Sequence, residues 1–265
     1  MTPTLSDIES LARRAGEILR ADFNPRPGFG HQLQVDHKGE IDLVTDVDRR
    51  SEAFILEEIQ RRFPSSRVLA EESGAQTGDE CCIWYIDPLD GTVNYAHGVP
   101  IFSVSIAYQE NGLLRLGAVY DPLQDELFSA EVGKGAALNG EPIRVAGETD
   151  LDQALLVTGF PYDVRENPEN NLDNFTNFAL KTQGVRRLGS AALDLCYVAA
   201  GRLDGFWEIR LNAWDVAAGG LIASEAGATV TNISGGLDFL SQPQSILAAN
   251  PRLHPQMQAV LNRKK

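Results

Sequence analysis

The chain is predicted to adopt an α/β fold, on three features of its sequence. Its second half alternates strand-like runs with helical stretches, the pattern of an α/β arrangement. Residues 102–131 instead hold three apolar runs of alternating character, split by Asn111-Gly112 and Asp121-Pro122, which predict an antiparallel meander. Two amphipathic helices precede both. A chain of 265 residues can bury a large core, as one domain or as two tightly packed halves. The polar stretch 146–152 is the expected seam, dividing residues 1–147 from 148–265 within one compact unit.

Each element has a local reason. Leu5, Ile8, Leu11, Ala12, Ala15, Ile18 and Leu19 recur at helical spacing, and Ser6 and Glu9 are placed as a capping box. Pro25, Pro27, Gly28 and Gly30 then make a loop. A second helix over 46–63 buries Val47, Phe54, Ile55 and Ile59 and stops before Pro64. Residues 67–70 predict a strand ending in Glu71-Glu72, and residues 82–86 a short buried strand ending in Asp87. Pro88 has no N–H to give a strand ladder and ends that strand. After the meander, Gly133, Gly135, Asn139 and Gly140 continue the turns. Strands are then predicted at 154–158 and 203–209. Helices are predicted at 172–182, with Phe175, Phe178 and Ala179 inward, at 191–200, closed by Gly201, and at 214–226, stopped by Gly227. Strand and helix recur through 246–261.

Composition narrows the function. The formal charge of −14 repels nucleic acid and also a phosphorylated metabolite, unless bound cations reverse the field locally. Arg186-Arg187 and Arg263-Lys264-Lys265 are too small for a basic stripe, so no nucleic-acid partner is expected. Three cysteines, with Cys81 and Cys82 adjacent, suit reduced core thiols in a cytoplasmic protein. No apolar run approaches the roughly 18 residues of a membrane span, and no leader opens the chain.

The chemistry centres on Trp84-Tyr85-Ile86-Asp87-Pro88-Leu89-Asp90-Gly91-Thr92-Val93-Asn94-Tyr95. Asp87 and Asp90 share one corner, where two carboxylates repel unless one is protonated or a hard cation lies between them. The Leu89 carbonyl can add a ligand. Gly91 opens the approach, and Thr92 begins a helix whose N–H groups suit a phosphate. Asp-x-x-Asp-Gly is equally a plain turn. Glu71-Glu72 reads as the wall of an acidic pocket or as an exposed pair, and Asp48 as a site residue, a helix cap, or both. Gly189-Ser190 precedes a helix as an anion seat or an ordinary cap, and Asp215 suits a helix start on dipole grounds alone.

Residues 84–97 and 214–228 (W-D-V-A-A-G-G-L-I-A-S-E-A-G-A) resemble the two defining motifs of the inositol monophosphatase family. Asp42 to Asp48, Ala70-Glu71-Glu72-Ser73 and Leu188-Gly189-Ser190-Ala191-Ala192-Leu193 resemble three further blocks, in the family's order over nearly the whole chain. Ala70, Val93 and Tyr95 depart from the usual Gly, Thr and Phe, beside the ligands and not in them. The resemblance implies a layered α-β-α-β-α sandwich, a homodimer, sensitivity to lithium, and two magnesium ions per subunit with a weaker third. It implies that Glu71, Asp87 and the Leu89 carbonyl hold one ion, and that Asp87, Asp90 and Asp215 hold the second. It further implies that Gly91 and Thr92 bind phosphate, with Thr92, Asp48 and Glu71 acting on the attacking water. Glu208 and Ala191, with Gly189 and Ser190 nearby, would face the alcohol, and Lys38 aligns with a family lysine near the site. Phe160-Pro161-Tyr162 either shapes substrate choice or only packs.

The function so implied is hydrolysis of a small phosphate monoester by an activated water, with no covalent intermediate. Inositol 1-phosphate is the default; relatives use fructose 1,6-bisphosphate, histidinol phosphate or adenosine 3',5'-bisphosphate. A haloacid-dehalogenase-type phosphatase also ends its acidic turn in Asp-Gly-Thr, but it separates its aspartates by one residue, whereas Pro88 and Leu89 lie between Asp87 and Asp90. A metal-stabilised regulatory protein without catalysis is the alternative from another class.

Overall fold

The long strands carry apolar side chains on both faces, and so require a covering layer on each side of a sheet. In the computed structural model, which describes residues 2–25, 35–37 and 43–262, β1 (Val35–His37) and β2 (Leu43–Thr45) form a small antiparallel pair. Helices α1 (Leu5–Asp22) and α2 (Asp46–Arg62) cover one face of an eight-stranded sheet. Its strands are β3 (Ser66–Ala70), β4 (Gly74–Gln76), β5 (Asp79–Asp90), β6 (Ser103–Glu110), β7 (Leu113–Asp121), β8 (Glu126–Glu131), β9 (Ala136–Leu138) and β10 (Glu141–Pro142), in the order β10-β9-β8-β7-β6-β5-β3-β4. The short α3 (Thr92–Ala96) follows β5.

A second sheet, ordered β12-β11-β13-β15-β14, is built from β11 (Leu155–Thr158), β12 (Gly184–Arg186), β13 (Gly205–Leu211), β14 (Thr229–Thr231) and β15 (Gln244–Ala249). Helices α5 (Ala191–Ala199) and α6 (Ala213–Glu225) lie between the sheets, and α4 (Leu172–Ala179) and α7 (His254–Leu261) cover the outer face of the second. This is the expected α-β-α-β-α layering.

Period-two alternation assigns each strand residue to a layer. Trp84, Ile86, Val104, Ile106 and Ala118 face α1 and α2, while Tyr85, Ala107 and Val119 face α5 and α6. In the second sheet Phe206, Ile246 and Ala248 point to the middle layer, and Trp207, Leu247 and Ala249 to α4 and α7. A one-residue slip of any central strand would exchange these sets. Helix α6 is buried all round, as a helix between two sheets must be, and is correspondingly rich in small residues: Ala217, Ala218, Gly219 and Gly220 follow one another. A Cβ on Gly117 of β7 would lie 3.1 Å from the Ala218 carbonyl oxygen, so the absence of a side chain there sets how closely α6 approaches the sheet.

Several local expectations are corrected. The capping box of α1 is Thr4 with Asp7, not Ser6 with Glu9; Asp7 accepts from the Thr4 N–H at 2.8 Å, and Glu9 instead accepts from the Ser129 hydroxyl at 2.7 Å. Strand β5 does not stop at Pro88. Its ladder with β6 breaks after Asp87↔Ser105 and resumes at Asp90↔Ser103, so the proline sits in a bulge where no N–H is needed. Helix α4 ends at Ala179, which is exposed, and Phe175 is only half-buried, leaving Phe178 as its inward anchor. Phe54 of α2 is likewise half-buried. Of the cysteines, all free, only Cys196 is in the core; Cys81 is exposed. The loop through Pro27, Gly28 and Gly30, Lys38, Asp42 and the tail Arg263-Lys264-Lys265 lie outside the described residues. Among the described residues no helix is long and apolar enough to cross a membrane.

The tight seat of α6 yields a stability prediction. Gly117→Val should lower the free energy of unfolding by about 1–3 kcal/mol, the usual range for overpacking, read as a reduced denaturant midpoint with an unchanged slope.

Candidate active site

Strands β3 and β5 run parallel with Ala70 opposite Ile86, so Glu71 and Asp87 leave the same edge of the sheet at the same level. The Glu71 N–H continues the ladder to the Ile86 carbonyl at 3.1 Å. Behind it, the buried Glu52 carboxylate of α2 accepts the N–H groups of Glu72 (2.8 Å) and Ser73 (2.9 Å). That anchor holds the turn, and both Glu71 and Glu72 are half-buried, not an exposed pair.

The bulge of β5 places the next donors. The Leu89 N–H donates to Asp87 Oδ1 at 3.0 Å, and the Ser51 hydroxyl donates to the Pro88 carbonyl at 3.0 Å. Gly91 has φ 98°, and a Cβ there would come within 2.9 Å of the Ile101 carbonyl oxygen, so glycine is required before α3. The Thr92 hydroxyl lies 2.9 Å from Asp48 Oδ1 and 3.0 Å from the Leu89 carbonyl. Asp48 is a helix cap as well: its other oxygen accepts from the Thr45 N–H and hydroxyl. The cap reading of Asp48 is thus borne out, while its second oxygen meets Thr92 at the cavity wall.

The second half closes the site. Asp90 accepts from the Ser190 hydroxyl at 2.5 Å and from the N–H groups of Ala192 (2.8 Å) and Ala191 (3.3 Å), so the N-terminus of α5 is clamped onto the end of β5. Asn94 adds a staple, donating to the carbonyls of Ile101 and Leu188, both at 2.8 Å. Asp215, in the first turn of α6, accepts the Asn212 N–H at 2.7 Å. Glu208 on β13 lies over Gly159, where a Cβ would stand only 2.2 Å from its Oε1.

Glu71, Asp87, Leu89, Asp90, Gly91, Thr92, Gly189, Ser190, Ala191, Glu208 and Asp215 all line one cavity of about 380 Å³. Asp48 reaches it through Thr92. Phe160, Pro161 and Tyr162 form part of its wall. Sequence reasoning missed Gly159, Arg187 and Asp194, which also line it. A signal for Asp194 existed: it is the one charge inside the otherwise apolar run of α5.

The electrostatics are those of crowded, desolvated acids. Burial and the Glu71, Asp90 and Asp215 carboxylates hold Asp87 well above the usual carboxylate range, and Glu71 shares a hydrogen bond with it. Burial, then Glu71, does the same to Asp215. Burial lifts Asp90 to about 6 against the bonds from Ser190, Ala192 and Ala191. Glu208 is pushed up to about 8 by burial, opposed by Arg187. Such a set carries its full charge only when a cation is shared among its oxygens, and an all-oxygen donor set matches a hard divalent ion. Among the described residues, however, no three acidic, histidine or cysteine side chains already converge as ready ligands. Asp90 and Asp215 each accept backbone N–H groups, and carboxylates so bonded keep further lone pairs for an ion.

Comparison with known proteins agrees with this architecture. A sequence profile described as the inositol monophosphatase family matches residues 2–265. An inositol-1-monophosphatase from Synechocystis sp. is 47% identical over 260 residues, covering 97% of this chain and 90% of the relative. A protein named Nus factor SuhB from Pasteurella multocida is 42% identical, over 96% of this chain and 93% of its own. The solved structure of an inositol monophosphatase from Anabaena (Nostoc) sp. superposes with a TM-score of 0.85 at 42% identity, covering 97% of this chain and 94% of that one.

Two structural predictions follow from the geometry. Gly159→Ala must displace the buried Glu208 carboxylate and should destabilise the fold by about 1–3 kcal/mol, measurable by chemical denaturation. Asp87→Asn keeps an acceptor for Leu89 while removing a desolvated acid. The metal-free variant should therefore unfold at a midpoint no lower than the parent at pH 7.

Proposed function

The chain belongs to the inositol monophosphatase family, and from that premise we propose that it is a magnesium-dependent phosphoric monoester hydrolase whose substrate is myo-inositol 1-phosphate. The observation that carries the reading is the convergence of Glu71, Asp87, Asp90 and Asp215, from distant parts of the chain, on one cavity. On this reading Glu71, Asp87 and the Leu89 carbonyl hold one ion, and Asp87, Asp90 and Asp215 hold another. Residues 1–147 then supply most ligands, and residues 148–265 complete the site. When bound, magnesium supplies Lewis-acid chemistry, making water more acidic and neutralising charge on phosphoryl and leaving oxygens.

The protein's own groups would do the rest. A hydroxyl has one proton, so Thr92 donates to Asp48 or to the Leu89 carbonyl and keeps lone pairs with which to orient water in the cavity. Asp48 is fixed for this task by Thr45. Gly91 and Thr92 would border the phosphate, and Glu208, with Gly189, Ser190 and Ala191 lining the same cavity, would border the alcohol. Proton transfer is then confined to water and neighbouring oxygens, with no aspartyl-phosphate formed. A homodimeric, cytoplasmic and lithium-sensitive enzyme is part of the same proposal.

A second reading, a regulatory protein without catalysis, is favoured by the name Nus factor borne by the Pasteurella multocida relative. One panel separates the two. Phosphate release from myo-inositol 1-phosphate, fructose 1,6-bisphosphate, histidinol phosphate and adenosine 3',5'-bisphosphate should require magnesium, be abolished by a chelator and be inhibited by lithium. Release from none of them would favour the regulatory reading. Asp87→Asn should lower kcat/KM by roughly 100-fold or more, since Lewis-acid stabilisation is worth several kcal/mol. Glu208→Gln should reduce discrimination among alcohols more than it reduces turnover of p-nitrophenyl phosphate, and an equal loss on every ester would contradict its placement at the alcohol.

A further inference from the structure

Asp194 is the buried acid to which the reaction above assigns no task. It is 1% exposed, it lines the cavity, and its Oδ1 has no hydrogen-bond partner. A carboxylate near a helix start can be favoured by the dipole alone, but here that work is already done. Ser190 is the cap of α5, its hydroxyl accepting from Leu193, and the Asp90 carboxylate receives the N–H groups of Ala191 and Ala192. An orphaned oxygen in such a place costs free energy that the fold does not recover, unless a ligand supplies the missing donor.

Its surroundings say which donor. Glu208 of β13 and Arg187 line the same cavity as Asp194, and of the acids acting on Asp194 Glu208 acts more strongly than Asp90. The Arg187 guanidinium packs against Gly189 at the cavity wall, with Nη1 2.5 Å from where a Cβ would stand. Carboxyl acceptors and guanidinium donors thus line one cavity, and an arriving ammonium would meet the Arg187 charge. Neighbouring hydroxyls satisfy both arms at once.

We infer that Asp194 is a specificity-determining residue that, with Glu208, binds hydroxyl groups of a polyol leaving group. This rests on the proposed hydrolysis of myo-inositol 1-phosphate and adds Asp194 to the residues that would face its alcohol. The near-isosteric Asp194→Leu removes the acceptor together with its burial cost, and Asp194→Asn reverses one arm from acceptor to donor. The readout is kcat/KM for myo-inositol 1-phosphate divided by kcat/KM for p-nitrophenyl phosphate, which has no hydroxyls. That ratio should fall about tenfold in the Leu variant, the size of one lost hydrogen bond to a charged group, and less in the Asn variant. An unchanged ratio in whichever variant folds overturns the inference. So does a larger loss for O-phosphoethanolamine than for the polyol ester, which would assign the place to a cation.

A second measurement does not depend on turnover. The rise in melting temperature given by the polyol phosphate beyond that given by inorganic phosphate should shrink in both variants. If the parent protein hydrolyses nothing yet keeps this difference, and the variants lose it, the hydrolase reading fails while the polyol subsite stands. A difference that persists undiminished in the variants overturns the subsite.

Discussion

Acids that repel one another are held together by the pairing of two parallel strands. Because β3 and β5 run side by side with Ala70 opposite Ile86, Glu71 and Asp87 must emerge together, whatever the preference of their charges. Everything else at the site supports that forced proximity. Glu52 grips the turn after Glu71, the Leu89 N–H holds Asp87, and Asp90 is tied to the start of α5. None of these contacts is a salt bridge. The carboxylates are retained by neutral donors, which fix position without cancelling charge, and so leave the cluster able to accept a cation.

The layered scaffold makes this affordable in structural terms. Each sheet is covered on both faces, so its strands gain from burial on either side, and the site is confined to one sheet edge where the middle layer begins. Asp90 bonded to α5 and Asp215 on α6 mean that the helices between the sheets, and not loops alone, form the far wall. A site on rigid elements keeps its geometry when the rim varies.

Much of this was legible in the sequence. Helical spacing found α1 and α2, alternation found the meander, and the two strands ending in acids anticipated a shared pocket. What was misread has physical causes. Pro88 was taken to end β5, because a proline normally breaks a ladder; a bulge gave it a position with no N–H to satisfy. Thr4 and not Ser6 caps α1, because Asp7 returns the bond to Thr4 while Glu9 is committed to Ser129, more than a hundred residues away. The edge strands β12 and β14 hold only three residues each, too short for a period to register. Glu208 enters only through family resemblance, Asp194 is passed over because a single charge in an apolar run carries no periodic signature, and Arg187 reads only as half of a basic pair too small for a stripe. Their meaning appears only when β13 and α5 are brought face to face.

The closeness with which α6 is wedged between the sheets has a consequence for how this protein can change over generations. Gly117 meets Ala218, Gly219 meets Leu195 and Gly220 meets Phe239, so growth of a side chain is blocked on several sides of that helix at once. The rim formed by Phe160, Tyr162 and Leu172 is not so confined, and Tyr162 and Leu172 stand largely in solvent. Mutational drift therefore has room at the mouth of the cavity and almost none where the acids are braced. Side chains can be exchanged around that opening while the acid-lined floor is inherited intact.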